Sequence, residues 1–103
     1  MKKDLLKIIG TYGINNQLKY IHSEYFELDE AILNWECNDE CWDIVNCIGH
    51  IAEEIADVMV MLKQFQYYYD IEDSEIEKIM LEKIDRQLKR IEDSKNAYEE
   101  RIS

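Results

Sequence analysis

The sequence predicts an all-α fold, an antiparallel bundle of three long helices plus a short N-terminal helix, completed by oligomerisation. Three observations predict it. The 103 residues contain no proline and only three glycines, at positions 10, 13 and 49. That composition suits helices joined by few tight turns and disfavours a strand-rich fold. Apolar residues recur at alternating spacings of three and four over long stretches, the period of a helix with one buried stripe. Turn-forming clusters are few, and the length fits one domain spanning residues 1–103.

Residues 2–9 read as a short amphipathic helix ended by Gly10 and Gly13, with Asn15 as the N-cap of the next helix. In that second helix Leu18, Ile21, Tyr25, Leu28, Ile32 and Trp35 form a heptad-like seam. Residues 36–43, ECNDECWD, break the pattern and read as a loop or a short irregular helix. A third helix carries Ile48, Ile51, Ile55, Val58, Leu62, Phe65 and Tyr69 in the same rhythm. Asp70 to Asp73 form a turn, and Ser74-x-x-Glu77 resembles a capping box. The last helix carries Ile76, Met80, Ile84, Leu88 and Ile91, with fraying expected near Asn96. On the third helix Met59, Val60, Met61, Tyr67 and Tyr68 lie off the main seam, so two of its faces are apolar. In so short a chain the second face calls for a partner subunit, which gives a homodimer or homotetramer; coverage by the first helix and the tail is the alternative.

The formal net charge is −11. Such a surface repels nucleic-acid backbones, which excludes DNA and RNA as partners. The opening MKKDLLKII is too short and too interrupted for a signal peptide or a membrane span, so the chain reads as cytoplasmic with no membrane partner. Cys37, Cys41 and Cys47 are an odd number within eleven residues and read as free thiols. Combined with His50 they can be drawn as a zinc site, but their spacing does not match the usual C-x2-C knuckles.

Between Lys19 and Lys63 there is no lysine or arginine, yet eleven carboxylates lie there. Like charges three or four residues apart on a helix repel by about 0.2–0.5 kcal/mol. Two acidic pairs stand out, Glu24-x-x-Glu27 and Glu54-x-x-Asp57. Spacing of three places each pair on one helical face. The stripes are Gln17, Tyr20, Glu24, Glu27 and Ala31 on the second helix, and Cys47, His50, Glu54, Asp57, Met61 and Gln64 on the third. Antiparallel packing lets the stripes face each other. Four converging carboxylates cannot all ionise without a cation. An all-oxygen ligand set selects a hard divalent ion, Mg²⁺ with Mn²⁺ as the alternative, rather than zinc. Two solvated acidic faces are the other reading of the same spacing.

Lys83, Arg86 and Arg90 share one face of the last helix, the only dense basic stripe in the chain. They can donate to a polyphosphate. They can equally form ordinary i,i+4 ion pairs, Glu82 with Arg86 and Asp85 with Lys89 nearby. His50 can hydrogen-bond a ligating carboxylate. Trp35 and Trp42 bracket the irregular segment, where they cap one end of the core or stack on a base.

The segments NNQLKYIHSEYFELDEAI, HIAEEIADVMVMLKQF and EKIDRQLKRI, in this order, resemble the MazG-like all-α nucleoside triphosphate pyrophosphohydrolases, a superfamily that includes the dimeric dUTPases. EEIADV is the strongest single match, and the likeness covers roughly residues 15–92. The family's metal pattern is E-x-x-E followed by E-x-x-D. The resemblance places it on Glu24, Glu27, Glu54 and Asp57, with Mg²⁺ as the metal. It places phosphate contacts on Lys83, Arg86 and Arg90; a glutamate not saturated by metal would orient or deprotonate the attacking water, with Glu27 and Glu54 as the catalytic candidates. The implied reaction cleaves a nucleoside or deoxynucleoside triphosphate to the monophosphate and pyrophosphate. Family members often carry two consecutive Glu at the first motif, whereas Ser23 precedes Glu24 here, so one carboxylate is lacking. Two other classes stay open. One is a non-enzymatic helical interaction or regulatory dimer with solvated acidic faces. The other is a di-iron or di-manganese bundle, which normally needs Glu-x-x-His pairs that this chain lacks.

Overall fold

The computed structural model describes residues 1–37 and 44–102. Four helices follow one another: α1 Lys2–Tyr12, α2 Ile14–Cys37, α3 Ile44–Tyr68 and α4 Asp73–Ile102. No strand occurs among the described residues. The fold is thus all-α, with three long helices and a short N-terminal one, as the composition and periodicity predict. The chain divides into two compact units, Met1–Asp70 and Ile71–Ser103.

In the first unit α1, α2 and α3 pack against one another. The α1–α2 junction is set by Gly13, whose φ of 88° lies in the left-handed region that L side chains rarely adopt. Its N–H donates to Ile9 O at 2.8 Å and its carbonyl accepts from Gln17 N–H at 3.1 Å. Gly10 lies within α1, so the stop belongs to Gly13 alone. Asn15 lies inside α2 rather than capping it. Its neighbour Asn16 instead serves the end of α1, donating from Nδ2 to the carbonyl of Tyr12 at 2.7 Å.

α2 and α3 run antiparallel. Gln17, early in α2, bonds Gln64, late in α3, while Glu24 and Glu27 meet Glu54 and Asp57. The residues turned inward differ from the predicted seam. Gln17, Glu24 and Ala31 are buried on α2, with Ile21, Leu28 and Trp35 partly so. Leu18, Tyr25 and Ile32, expected in the seam, are exposed. On α3 the buried set is Glu54, Met61, Gln64, Gln66 and Tyr67, while Ile48, Ile55 and Leu62 are exposed, as is Tyr69 just past its end. The polar stripe of each helix therefore occupies the helix–helix interface, and half of the apolar seam faces outward.

Of the second apolar side of α3, Met61 and Tyr67 are buried within this chain, while Met59, Val60 and Tyr68 are exposed. Tyr67 carries the ammonium of Lys2 at 5.5 Å from its ring centroid and that of Lys63 at 5.6 Å. These contacts tie the start of α1 to the end of α3. Coverage by the first helix thus holds for part of that face.

The first unit ends at Asp70, whose φ is 55°, and the second begins at Ile71. Amides of Glu75 and Ile76 donate to Glu72 O, and α4 begins at Asp73, one residue before the expected Ser74 cap. Asp73 and Glu75 place negative charge in the first turn, where the helix dipole favours it. The helix continues through Ile102 without a break near Asn96. No residue of α4 is buried.

Candidate metal centre

The four predicted carboxylates converge. One ligand oxygen from each of Glu24, Glu27, Glu54 and Asp57 lies within 4.8 Å of every other. The cause is local. Each pair is spaced by three on its helix, so both members project from one face. The antiparallel register of α2 and α3 then sets the two faces opposite each other.

Two members are buried and two are open. Glu24 is 6% and Glu54 8% exposed, whereas Glu27 and Asp57 reach solvent. Glu24 Oε2 and Glu54 Oε2 are both buried without a hydrogen-bond partner. A buried carboxylate oxygen in that state is costly. Among the described residues no lysine or arginine forms an ion pair with any of the four. The nearest positive candidate is His50, whose Nε2 stands 3.8 Å from Glu54 Oε1. His50 thus stands beside Glu54 at ion-pair distance, longer than a hydrogen bond.

The electrostatics follow from this crowding. Burial pushes the Glu54 carboxyl above its ordinary value, the Glu27 charge adds to the rise, and His50 opposes it; Asp57 and Glu24 contribute smaller increments upward. Tyr20 is held above its ordinary phenolic value, chiefly by the hydrogen bond its hydroxyl makes with Glu24 and by the charge of that carboxylate.

The donor set suits a hard divalent cation. It offers only carboxylate oxygens, two of them unpartnered, and both members of each pair come from a rigid helix. A cation there would supply the missing partners. Ser23, which precedes Glu24, is exposed on α2.

Beside the cluster lies a cavity of about 520 Å³. Ile8 and Tyr12 of α1, Asn16, Gln17, Tyr20 and Glu24 of α2, and Asp57, Val60, Met61 and Gln64 of α3 line it. Gln17 and Gln64, to which the sequence reading gave no role, meet at its wall, with Gln17 Nε2 donating to Gln64 Oε1 at 2.8 Å. The signal was present: both are polar residues in the register that turns toward the neighbouring helix.

Lys83, Arg86 and Arg90 lie on α4 in the second unit, all exposed. Among the described residues none of the three enters an ion pair. Lys89 pairs with Asp85 at 3.3 Å, as i,i+4 spacing predicts. Cys47 is disulfide-bonded, which corrects the free-thiol expectation at that position. A cysteine with two others so near in sequence has a bridging partner within reach, and a bridged sulfur is no longer a thiolate ligand for zinc. Cys41 and Trp42 lie outside the described residues. No helix among the described residues is long and apolar enough to cross a membrane. No family model, curated protein or solved structure matches the chain.

Proposed function

We propose that this chain is a Mg²⁺-dependent nucleotide pyrophosphohydrolase that cleaves a nucleoside or deoxynucleoside triphosphate and water to the monophosphate and pyrophosphate. One observation carries the reading. Four carboxylates from two helices converge within 4.8 Å, two of them buried with an unpartnered oxygen. Solvated acidic faces, on which the non-enzymatic reading relied, do not describe Glu24 and Glu54, which are buried. The likeness of the three sequence segments to MazG-like enzymes gives the reaction class.

Glu24, Glu27, Glu54 and Asp57 would hold the ion, Mg²⁺ or alternatively Mn²⁺. When bound, it supplies Lewis-acid polarisation of phosphoryl oxygens and a lowered pKa for water. Glu27 is exposed at the cluster's edge, so its carboxylate is placed to accept the proton of the attacking water. Glu54, the carboxyl with the raised proton affinity, is the second candidate for a catalytic role. Tyr20 fixes the orientation of Glu24 through its hydroxyl. Lys83, Arg86 and Arg90 of α4 are the phosphate donors that the same likeness implies.

The active form is a dimer or a dimer of dimers. Ile48, Ile55, Met59 and Leu62 form an exposed apolar face of α3 at helical spacing. Leu18 and Ile32 are likewise exposed on α2 at heptad-multiple spacing. Exposed apolar side chains at helical spacing suit an association site.

The test is release of pyrophosphate from a panel of nucleoside triphosphates with and without Mg²⁺. Release that requires the ion, and that falls to background in Glu54→Gln, supports the reading. No release from any member of the panel in either Mg²⁺ or Mn²⁺ removes it.

A further inference from the structure

We infer that the Cys47 disulfide is a redox-sensitive clamp on the carboxylate cluster. Closed, it holds α2 and α3 in the register that brings the four acids together; opened by a dithiol, it lowers the affinity of the cluster for a divalent cation. The inference rests on the proposed metal centre for what is controlled. It rests on the packing of the helix pair for the control itself.

The two ends of the α2–α3 pair are held differently. On the side of α1 the helices are anchored. Gln17 Nε2 donates to Gln64 Oε1 at 2.8 Å. Met61 and Gln64 of α3 are buried there, as are Leu5 and Ile9 of α1. Toward the connection between α2 and α3 the packing is sparse. Among the described side chains of residues 31–35 and 45–51, Ala31 alone is buried. Ile32, Leu33, Val45 and Ile48 are exposed although apolar. Between the two ends lie the acids, with one oxygen of each within 4.8 Å of every other. Without a cation their repulsion pushes the helices apart. The anchored end resists that push through packing. The sparse end has little besides a covalent bond to resist it.

That bond is at Cys47, which is disulfide-bonded. Cys47, His50, Glu54 and Asp57 follow one another at spacings of three, four and three, so Cys47 lies on the cluster's own face of α3. It is half-buried where Val45, Asn46, Ile48 and Gly49 around it are exposed. The chain's other cysteines are Cys37, the last residue of α2, and Cys41, between the helices in sequence. A bridge to either shortens the tether between α2 and α3. Opening it takes two electrons from a dithiol. One thiolate of the dithiol attacks a sulfur of the bridge and displaces the other as a thiolate. The second thiolate of the dithiol then resolves the mixed disulfide, and the dithiol leaves as a cyclic disulfide. Both cysteines take up protons as thiols. The coupling is reciprocal, so a bound cation makes the bridge harder to reduce by the same factor.

The test is calorimetric titration of Mg²⁺ into the full chain, air-oxidised and dithiol-reduced. A hard ion is used because the freed thiols do not hold it. Thiols counted in denaturant should number one before reduction and should include all three cysteines after it. Reduction is expected to weaken Mg²⁺ binding about tenfold, with helix content by circular dichroism unchanged. Cys47→Ser should bind Mg²⁺ as the reduced parent does and ignore the dithiol. Equal affinity in the two redox states overturns the inference. So do three thiols in the oxidised chain, or loss of helix on reduction, which would make the bridge a staple of the fold rather than a clamp on the centre. Absence of Mg²⁺ binding in both states overturns the clamp and the metal centre together. Redox-dependent binding without triphosphate hydrolysis keeps the clamp and removes the enzymatic reading. Hydrolysis with the same Mg²⁺ requirement in both states does the reverse.

Discussion

Glu24 and Glu54 face each other across the α2–α3 interface, both buried and each with one carboxylate oxygen left without a partner. Together with Glu27 and Asp57 they form a compact group of four acids. Two helices do not normally bring such groups together in place of apolar residues, because like charges oppose their approach. The site is thus destabilising in the metal-free chain and stabilising once a cation enters. Millimolar Mg²⁺ or Mn²⁺ should therefore raise the melting temperature by mass action. Replacing all four acids by their amides should raise the metal-free melting temperature and abolish the response to the ions. Melting curves indifferent to both ions would count decisively against the centre.

The raised proton affinity of Glu54 gives a pH dependence with a definite sign. Its carboxyl keeps a proton in the folded chain above the ordinary value of 4.5, whereas the unfolded chain has released it. The folded state then binds more protons, so stability falls as pH rises through this window. The contribution is fully present below the ordinary value and is lost above the folded one. Without metal, Glu54→Gln should therefore gain in melting temperature relative to the parent as pH increases, and the gain should level off once Glu54 is ionised. Mg²⁺ should shrink the difference. A difference that stays constant between about pH 4 and 8 would show that Glu54 does not titrate abnormally.

How much of this was legible in the sequence depends on what periodicity can and cannot decide. The spacing of Glu24, Glu27, Glu54 and Asp57 was enough to place each pair on one face. The antiparallel course of α2 and α3 then brought the pairs together. The same period did not reveal which face turns inward. On α2 the stripe through Leu18, Tyr25 and Ile32 and the stripe through Gln17, Glu24 and Ala31 differ by one residue, or about 100° of rotation. Hydrophobicity favoured the first, yet the second is buried. A single sequence holds no term for a cation or a partner copy, and either changes which face belongs inside. Helix ends were similarly divided. The chain reversal near Gly13 was legible because only a residue without Cβ enters φ 88° cheaply, whereas the expected Asn15 cap falls inside α2, whose first turn is closed by Gln17 N–H on the Gly13 carbonyl.

Association is the next prediction, and the structure alters the choice of position. Tyr67 is buried against Lys2 and Lys63, so a charge placed there would unfold the chain rather than separate subunits. Ile55 and Leu62 are exposed on one face of α3. Ile55→Glu and Leu62→Glu should leave the helix content by circular dichroism unchanged and convert a dimer or tetramer to monomers. Light scattering that finds the unaltered protein monomeric at micromolar concentration would remove the association reading.

The basic stripe of α4 separates substrate binding from folding. Lys83, Arg86 and Arg90 are exposed and make no ion pair among the described residues. Removing such a surface charge changes stability by under about 0.5 kcal/mol. A lost charge-assisted bond to a phosphate costs about 1.5–3 kcal/mol, which is roughly ten- to a hundredfold in kcat/KM. Lys83→Ala and Arg86→Ala should therefore melt close to the parent while hydrolysing triphosphates poorly. Arg86→Lys should also be impaired, because a point charge does not reproduce a bidentate guanidinium. Raising the salt concentration should weaken the parent more than the alanine variants, since screening acts on the contact they lack. If both alanine variants keep full activity, the stripe is a solvated face, and a triphosphate would need another anchor.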